Sequence, residues 1–226
     1  MPDFFVQLMP NVIEHGGELL QATCDTLVMV LISGVISVLL GLVLGVLLVV
    51  SSPGGLYENG PVCSVAGKVI NTLRSIPFVI LLALILPFTR LIVGTSIGIP
   101  GAIVPMIVGI TPFIARQVEQ ALAEVDRGVI EAAQSMGVPK PAIVIRVMLR
   151  EALPGIVRAL MICMISLIGL SAMAGTVGGG GLGDFAIRYG YAQFMQDITV
   201  VTTVILLLIV NLLQGIGNRA VRKFTH

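Results

Sequence analysis

Charge is scarce in this sequence. Asp, Glu, Lys and Arg make up 11% of the 226 residues, 56% are hydrophobic, and mean hydropathy is +1.05. Soluble domains carry about 25% charged and about 45–50% apolar residues. A water-soluble globular fold is therefore excluded, because a chain this short has too little interior to hide so much apolar surface. Histidine is nearly absent: only His15 and His226 occur, both near the ends. No group of acids shares a helix face inside an apolar run, so no catalytic constellation can be assembled and no catalytic residue is expected. The three cysteines (Cys24, Cys63, Cys163) show no paired spacing. Neither a disulfide framework nor a metal site is expected, and a small thiol in an apolar run is ordinarily packing.

Further absences narrow the class. The first 26 residues hold Asp3, Glu14, Glu18 and Asp25 but no Lys or Arg. A cleaved signal peptide needs a basic start and a shorter apolar core than the run at 27–50, so that run reads as a membrane span. No glycine-rich phosphate loop ending in Lys-Ser or Lys-Thr is present, so the chain does not hydrolyse ATP itself. Residues 27–50, 91–115, 159–183 and 198–218 contain no charged side chain. Secondary transporters commonly carry ionisable groups there for protons or ions. With neither device in the chain, energy must come through a partner.

What is present is apolar length. Crossing a bilayer takes about 20 apolar residues of helix. The four charge-free runs, with a shorter one at 75–89 between Arg74 and Arg90, predict five spans at approximately 22–50, 65–89, 91–120, 156–180 and 197–218. Turn residues punctuate them: Ser51 to Gly55 and Asn59 to Pro61 after the first, Gly98 to Gly101 in the region of the second and third, and Gly178 to Gly181 after the fourth. The expected fold is an all-α integral membrane protein, one domain over 1–226, with a polar loop at about 122–155 between spans three and four. Placing that loop in the cytoplasm puts eleven of the 13 basic residues inside, and only Arg90 and Arg188 outside. Basic residues are retained on the cytoplasmic side, so the N-terminus is expected outside and the C-terminus inside.

The polar loop is the most informative segment. Glu131, Ala132 and Ala133 sit on a short helical stretch that Gly137 can end in the left-handed conformation. Val138 leads into Pro139 and Pro141, which cannot continue the first helix but suit the start of a second. Ile143, Val144, Val147 and Met148 then recur at helical spacing. On residues alone two readings stand side by side: a docking knob for a cytoplasmic partner, with small alanines allowing close approach, or an amphipathic loop lying on lipid headgroups.

The pattern Glu-Ala-Ala, three residues, Gly, nine residues and an apolar residue resembles the loop signature of ABC importer permeases. It is matched at Glu131, Ala132, Ala133, Gly137, Val147 and Leu149. It departs at Arg150, where that family usually has proline; Glu151 to Gly155 brings Pro154 four residues later. Arg74 to Phe78, Pro87 to Arg90, Gly94 to Gly98, Pro112 to Arg116, Ser171 to Met173 and Gly180 to Gly183 are similar to the methionine-importer permeases in particular. The resemblance implies a homodimer in the bacterial cytoplasmic membrane that carries an amino acid, most closely methionine. It implies two ATPase subunits inside and a substrate-binding lipoprotein outside, with no nucleic-acid partner. ATP and magnesium would belong to the ATPase, and no cofactor to this chain. Glu131, Ala132, Ala133, Gly137, Val138 and Pro139 would form the coupling helix that meets the ATPase. A permease of the same family for another small amino acid or peptide, or less readily a secondary transporter, are the alternatives.

The fourth span carries Gly169, Ser171, Ala172, Ala174, Gly175 and Thr176, small residues that let helices approach closely in lipid. Met173 is the bulky side chain among them. Ser171 and Met173 are expected to contribute to a closed gate if two copies meet there; ordinary packing is the alternative. The glycines at 178–181 favour a tight turn over an anion-binding run of amides.

Overall fold

The structure is a computed structural model and describes residues 9–224; for Ala220 and residues 222–224 only the backbone is described. Among the described residues every regular element is helical. In chain order these are α1 (Pro10–Glu14), α2 (Gly16–Ser51), α3 (Gly60–Ser75), α4 (Phe78–Leu84), α5 (Leu86–Val93), α6 (Gly98–Ala123) and α7 (Arg127–Ser135). Next comes α8, composed of Lys140–Ala142, a π-helical stretch Ile143–Met148 and Leu149–Glu151. Then follow α9 (Leu153–Gly175), α10 (Gly181–Phe185, continued as a π turn over Ala186–Tyr191) and α11 (Gln196–Phe224).

Among the described residues four helices are long and apolar enough to cross a membrane: α2, α6, α9 and the Gln196–Arg219 part of α11. A fifth span exists only if α3 and α4 count together as one broken crossing. The single helix expected at 65–89 is therefore corrected. Helix α3 starts earlier, at Gly60, and stops at Ser75, while Pro77 sits at the head of α4 with φ −56° and ψ 134°. Proline lacks the N–H that would continue the ladder and pushes the residue before it out of the helical region. Pro87 opens α5 in turn, and Gly94 ends it at φ 77°.

The chain divides into two compact units, and each long helix contributes residues to both. One unit takes 9–36, Ile76–Gly109 and Met164–Leu213. Its core packs Ala22, Leu182, Phe185 and Ile198 against Leu19, Tyr189 and Met195. Gly181 takes φ 76° and lies so near α2 that an added Cβ would stand 2.6 Å from the Thr26 hydroxyl oxygen. That oxygen accepts from the Leu182 amide at 2.8 Å, which fixes the start of α10. The glycine run thus serves as a tight turn. The Asp197 carboxylate accepts from the amides of Asn11 and Val12 and from the Asn11 side chain, capping α1 from the far end of the sequence. Glu18 accepts from Tyr189 at 2.8 Å and from Arg188 at 3.3 Å. Its carboxylate raises the Tyr189 phenol above the ordinary value.

The other unit takes Ser37–Ser75, Ile110–Cys163 and 214–224. Leu48, Ile70 and Ala115 form its buried centre. Helices α2 and α6 meet closely: a Cβ on Gly45 would lie 2.7 Å from Val118. The Arg116 guanidinium donates to the Gly67 carbonyl at 3.1 Å and pairs with Glu119 at 2.6 Å, tying α3 to α6.

Candidate functional site

The polar segment after α6 folds into an elbow of two short helices, α7 and α8. Asp126 caps α7, its carboxylate accepting from the Gly128 amide at 2.7 Å. The helix ends in a Schellman motif: the Gly137 amide donates to Gln134 O at 2.9 Å and the Val138 amide to Ala133 O at 3.1 Å. Gly137 holds φ +74°, the left-handed conformation this motif requires. Pro139, extended at ψ 141°, then heads α8. Helix α7 packs on the π-helical stretch of α8, and Ala133, Ile143 and Met148 are buried.

The six elbow residues singled out by sequence are thus brought together on one turn, but not on one surface. Glu131, Ala132, Gly137 and Pro139 are exposed, Val138 is half-buried, and Ala133 points inward at 4% exposure. Of the two alanines, only Ala132 is available for close approach by another surface. Ala133 is small because the elbow closes over it. Met136, 75% exposed beside Gly137, is the bulkiest apolar group on this knuckle, and sequence reasoning passed over it.

The turn between α2 and α3 lies against the elbow. It is held by Tyr57 N to Val50 O at 2.9 Å and Asn59 N to Ser51 O at 3.0 Å, with Leu56 buried. The Lys140 ammonium sits 5.2 Å from the centre of the Tyr57 ring, within cation–π range. A hollow of about 350 Å³ remains between turn and elbow, lined by Gly54, Gly55, Glu119, Arg127, Glu131 and Gln134 among others. Glu131 therefore borders this hollow as well as the exposed face. The Tyr57–Lys140 contact spans 83 positions, and no local pattern signals it.

Ser171 and Met173 belong to the other unit, and the structure separates them. Two residues along a helix are about 200° apart around its axis. Ser171 is 2% exposed, and its hydroxyl donates to Ile168 O at 2.7 Å. Met173 is 48% exposed on the opposite side. Within the single chain only Met173 presents a side chain outward, and Ser171 is satisfied by its own helix. Among the described residues no cluster of His, Cys, Asp and Glu is arranged to hold a metal.

Residues 37–223 match the family described as "Binding-protein-dependent transport system inner membrane component". The chain is 49% identical over 208 residues to a probable D-methionine transport system permease protein of Vibrio cholerae, covering 92% of each. It is 45% identical over 172 residues to a methionine import system permease protein of Bacillus subtilis, covering 76% of this chain and 78% of that one. A chain from the solved MetNI methionine ABC transporter, in an inward-facing conformation, overlays with a TM-score of 0.92 at 45% identity, covering 94% of this chain and 99% of that chain. A chain of an amino acid ABC transporter shares the fold at TM-score 0.79 and 18% identity. On this agreement over most of its length, the chain belongs to the family of binding-protein-dependent transport system inner membrane components.

Proposed function

We propose that this chain is the permease subunit of an ATP-driven importer and forms the membrane path for an amino acid, methionine before others. It is a multi-pass inner-membrane transport component and not an enzyme. The observation that carries the reading is the relatedness to methionine permeases across nine-tenths of the chain. The exposed knuckle of Glu131, Ala132, Met136, Gly137 and Pro139 suits docking of a cytosolic ATPase, which would hold the ATP and magnesium. Two copies of the chain, two ATPase subunits and an external substrate-binding lipoprotein complete the assembly. The basic residues set the N-terminus outside and the elbow inside.

The test is reconstitution of the chain in proteoliposomes with the ATPase that co-purifies with it and its solute-binding protein. Uptake of labelled methionine should require ATP hydrolysis and stop when Lys is substituted in the phosphate loop of the ATPase. Uptake that follows a proton or sodium gradient and ignores ATP would overturn the reading in favour of a secondary transporter. ATP-driven uptake of a different amino acid would move the substrate and leave the class.

A further inference from the structure

Polar side chains near the ends of membrane helices stay unpaired only where water or a ligand meets them, because lipid cannot satisfy them. Helix α6 carries Gln117 and Gln120, and Glu124 follows in the turn just past its end at Ala123; spacings of three and four residues keep the three on one side. Helix α9 presents Gly155, Arg158, Ala159 and Ile162 at the same kind of spacing. These two stripes line one hollow of about 140 Å³, with Ala121 at its base. That is several times the about 30 Å³ of a water molecule in the liquid. The helices are pressed together beneath it, since a Cβ on Gly155 would stand 3.3 Å from Ala121.

Nearby, Arg116 pairs with Glu119 on α6 and Arg74 lies over the Phe113 ring. Glu124 and Arg158 have no hydrogen-bond or ion-pair partner among the described residues, nor do the side-chain amides of Gln117 and Gln120. One hollow therefore gathers a free carboxylate, a free guanidinium, two free carboxamides and an apolar wall of Ala159 and Ile162. A ligand that fits this set carries a carboxylate, an ammonium group and a short apolar extension on one small frame.

We propose that this hollow is a release site for a zwitterionic amino acid on the cytoplasmic side of the membrane path. Arg158 takes the α-carboxylate as a fork of two donors. Glu124 takes the α-ammonium group, Gln117 and Gln120 complete the polar shell, and the side chain lies along Ile162. The site rests on the amino-acid reading of the function and names where this chain itself would touch its solute. Such a site is weak by design, because a transported solute must leave each position it occupies.

The test measures occupancy at the hollow directly. In a chain with Cys24, Cys63 and Cys163 replaced by alanine, Ile162→Cys is alkylated in nanodiscs with the co-purified ATPase and no nucleotide. Free methionine at saturating millimolar concentration should slow that alkylation about threefold or more. N-acetylmethionine, lacking the ammonium group, and methionine methyl ester, lacking the carboxylate, should give no protection. Glu124→Gln and Arg158→Gln should each abolish protection by methionine. A complex that imports methionine at the expense of ATP, yet reacts at residue 162 at one rate with and without the zwitterion, overturns the site and leaves the importer. Protection that survives both glutamine variants also overturns it. Protection without any ATP-driven import keeps the site and removes the transport reading.

Discussion

Replacing Gly137 separates backbone geometry from bulk at the elbow. A Cβ built on this residue meets no heavy atom within 4 Å, so a methyl group there clashes with nothing among the described residues. What it does meet is its own backbone, held at φ +74° by the two Schellman bonds to Gln134 and Ala133. An L-residue in that conformation costs about 1–2 kcal/mol, asparagine being the tolerated exception and β-branched residues the worst case. One to two kcal/mol changes an equilibrium by a factor of about 5–30. The closed elbow should lose population by that factor in Gly137→Ala, by more in Gly137→Val, and by little in Gly137→Asn. Solute imported per ATP hydrolysed in proteoliposomes should fall in the order Gly, Asn, Ala, Val, while the amount of protein in the membrane stays constant. A valine variant that couples like the wild type would refute the argument. An asparagine variant as defective as valine would refute it differently, by showing that bulk against a docked partner decides, not φ.

Gly45→Ala should lower the melting midpoint of the detergent-solubilised chain, because the new Cβ would meet Val118 at 2.7 Å and the Ala115 carbonyl at 2.8 Å. Overpacking of this kind costs about 1–3 kcal/mol, and Gly17→Ala, with nothing within 4 Å, is the control that should not lower it. Asp197→Ala removes the acceptor for Asn11 and Val12 and should cost α1 about 1–2 kcal/mol. Amide exchange over residues 11–14 should speed up by about 5–30-fold, and an unchanged rate would show that this cap does not hold α1. Met173→Ala should raise solute leak or basal ATP hydrolysis if the exposed methionine closes a gate; unchanged values for both would return it to packing against lipid.

The long spans were legible because lipid imposes one rule, the exclusion of charge over about 20 residues, and 27–50, 159–183 and 198–218 obey it. Their ends were less so. Helix α2 begins at Gly16, six residues before the expected start, since Glu18 is held by Tyr189 and Arg188 from the far side of the sequence. The break at Pro77 was written in the sequence, but hydropathy averages across a proline without registering it. In the elbow, Gly137 announced its own conformation. The apolar positions of α8 did not, because a helical period was assumed. The π-helical stretch instead buries Ile143 and Met148, five apart, and leaves Val144 and Val147 half-buried.

The separation of Ser171 from Met173 has a physical origin in lipid. In lipid, apolar side chains gain little by leaving their surroundings, so helices choose their neighbours by shape and close approach. Small residues then recur wherever backbones touch, and a run of them in sequence does not say which face touches. Gly175 and Gly183 pack against the backbone of the hairpin that joins α9 to α10, around Asp184 and Ala172 respectively, while Gly169 on the same helix meets nothing within 4 Å. The face of α9 that closes this hairpin is the face that buries Ser171. Met173 is on the other face, free for a second copy or for lipid, and only contacts made outside a single chain decide between those two.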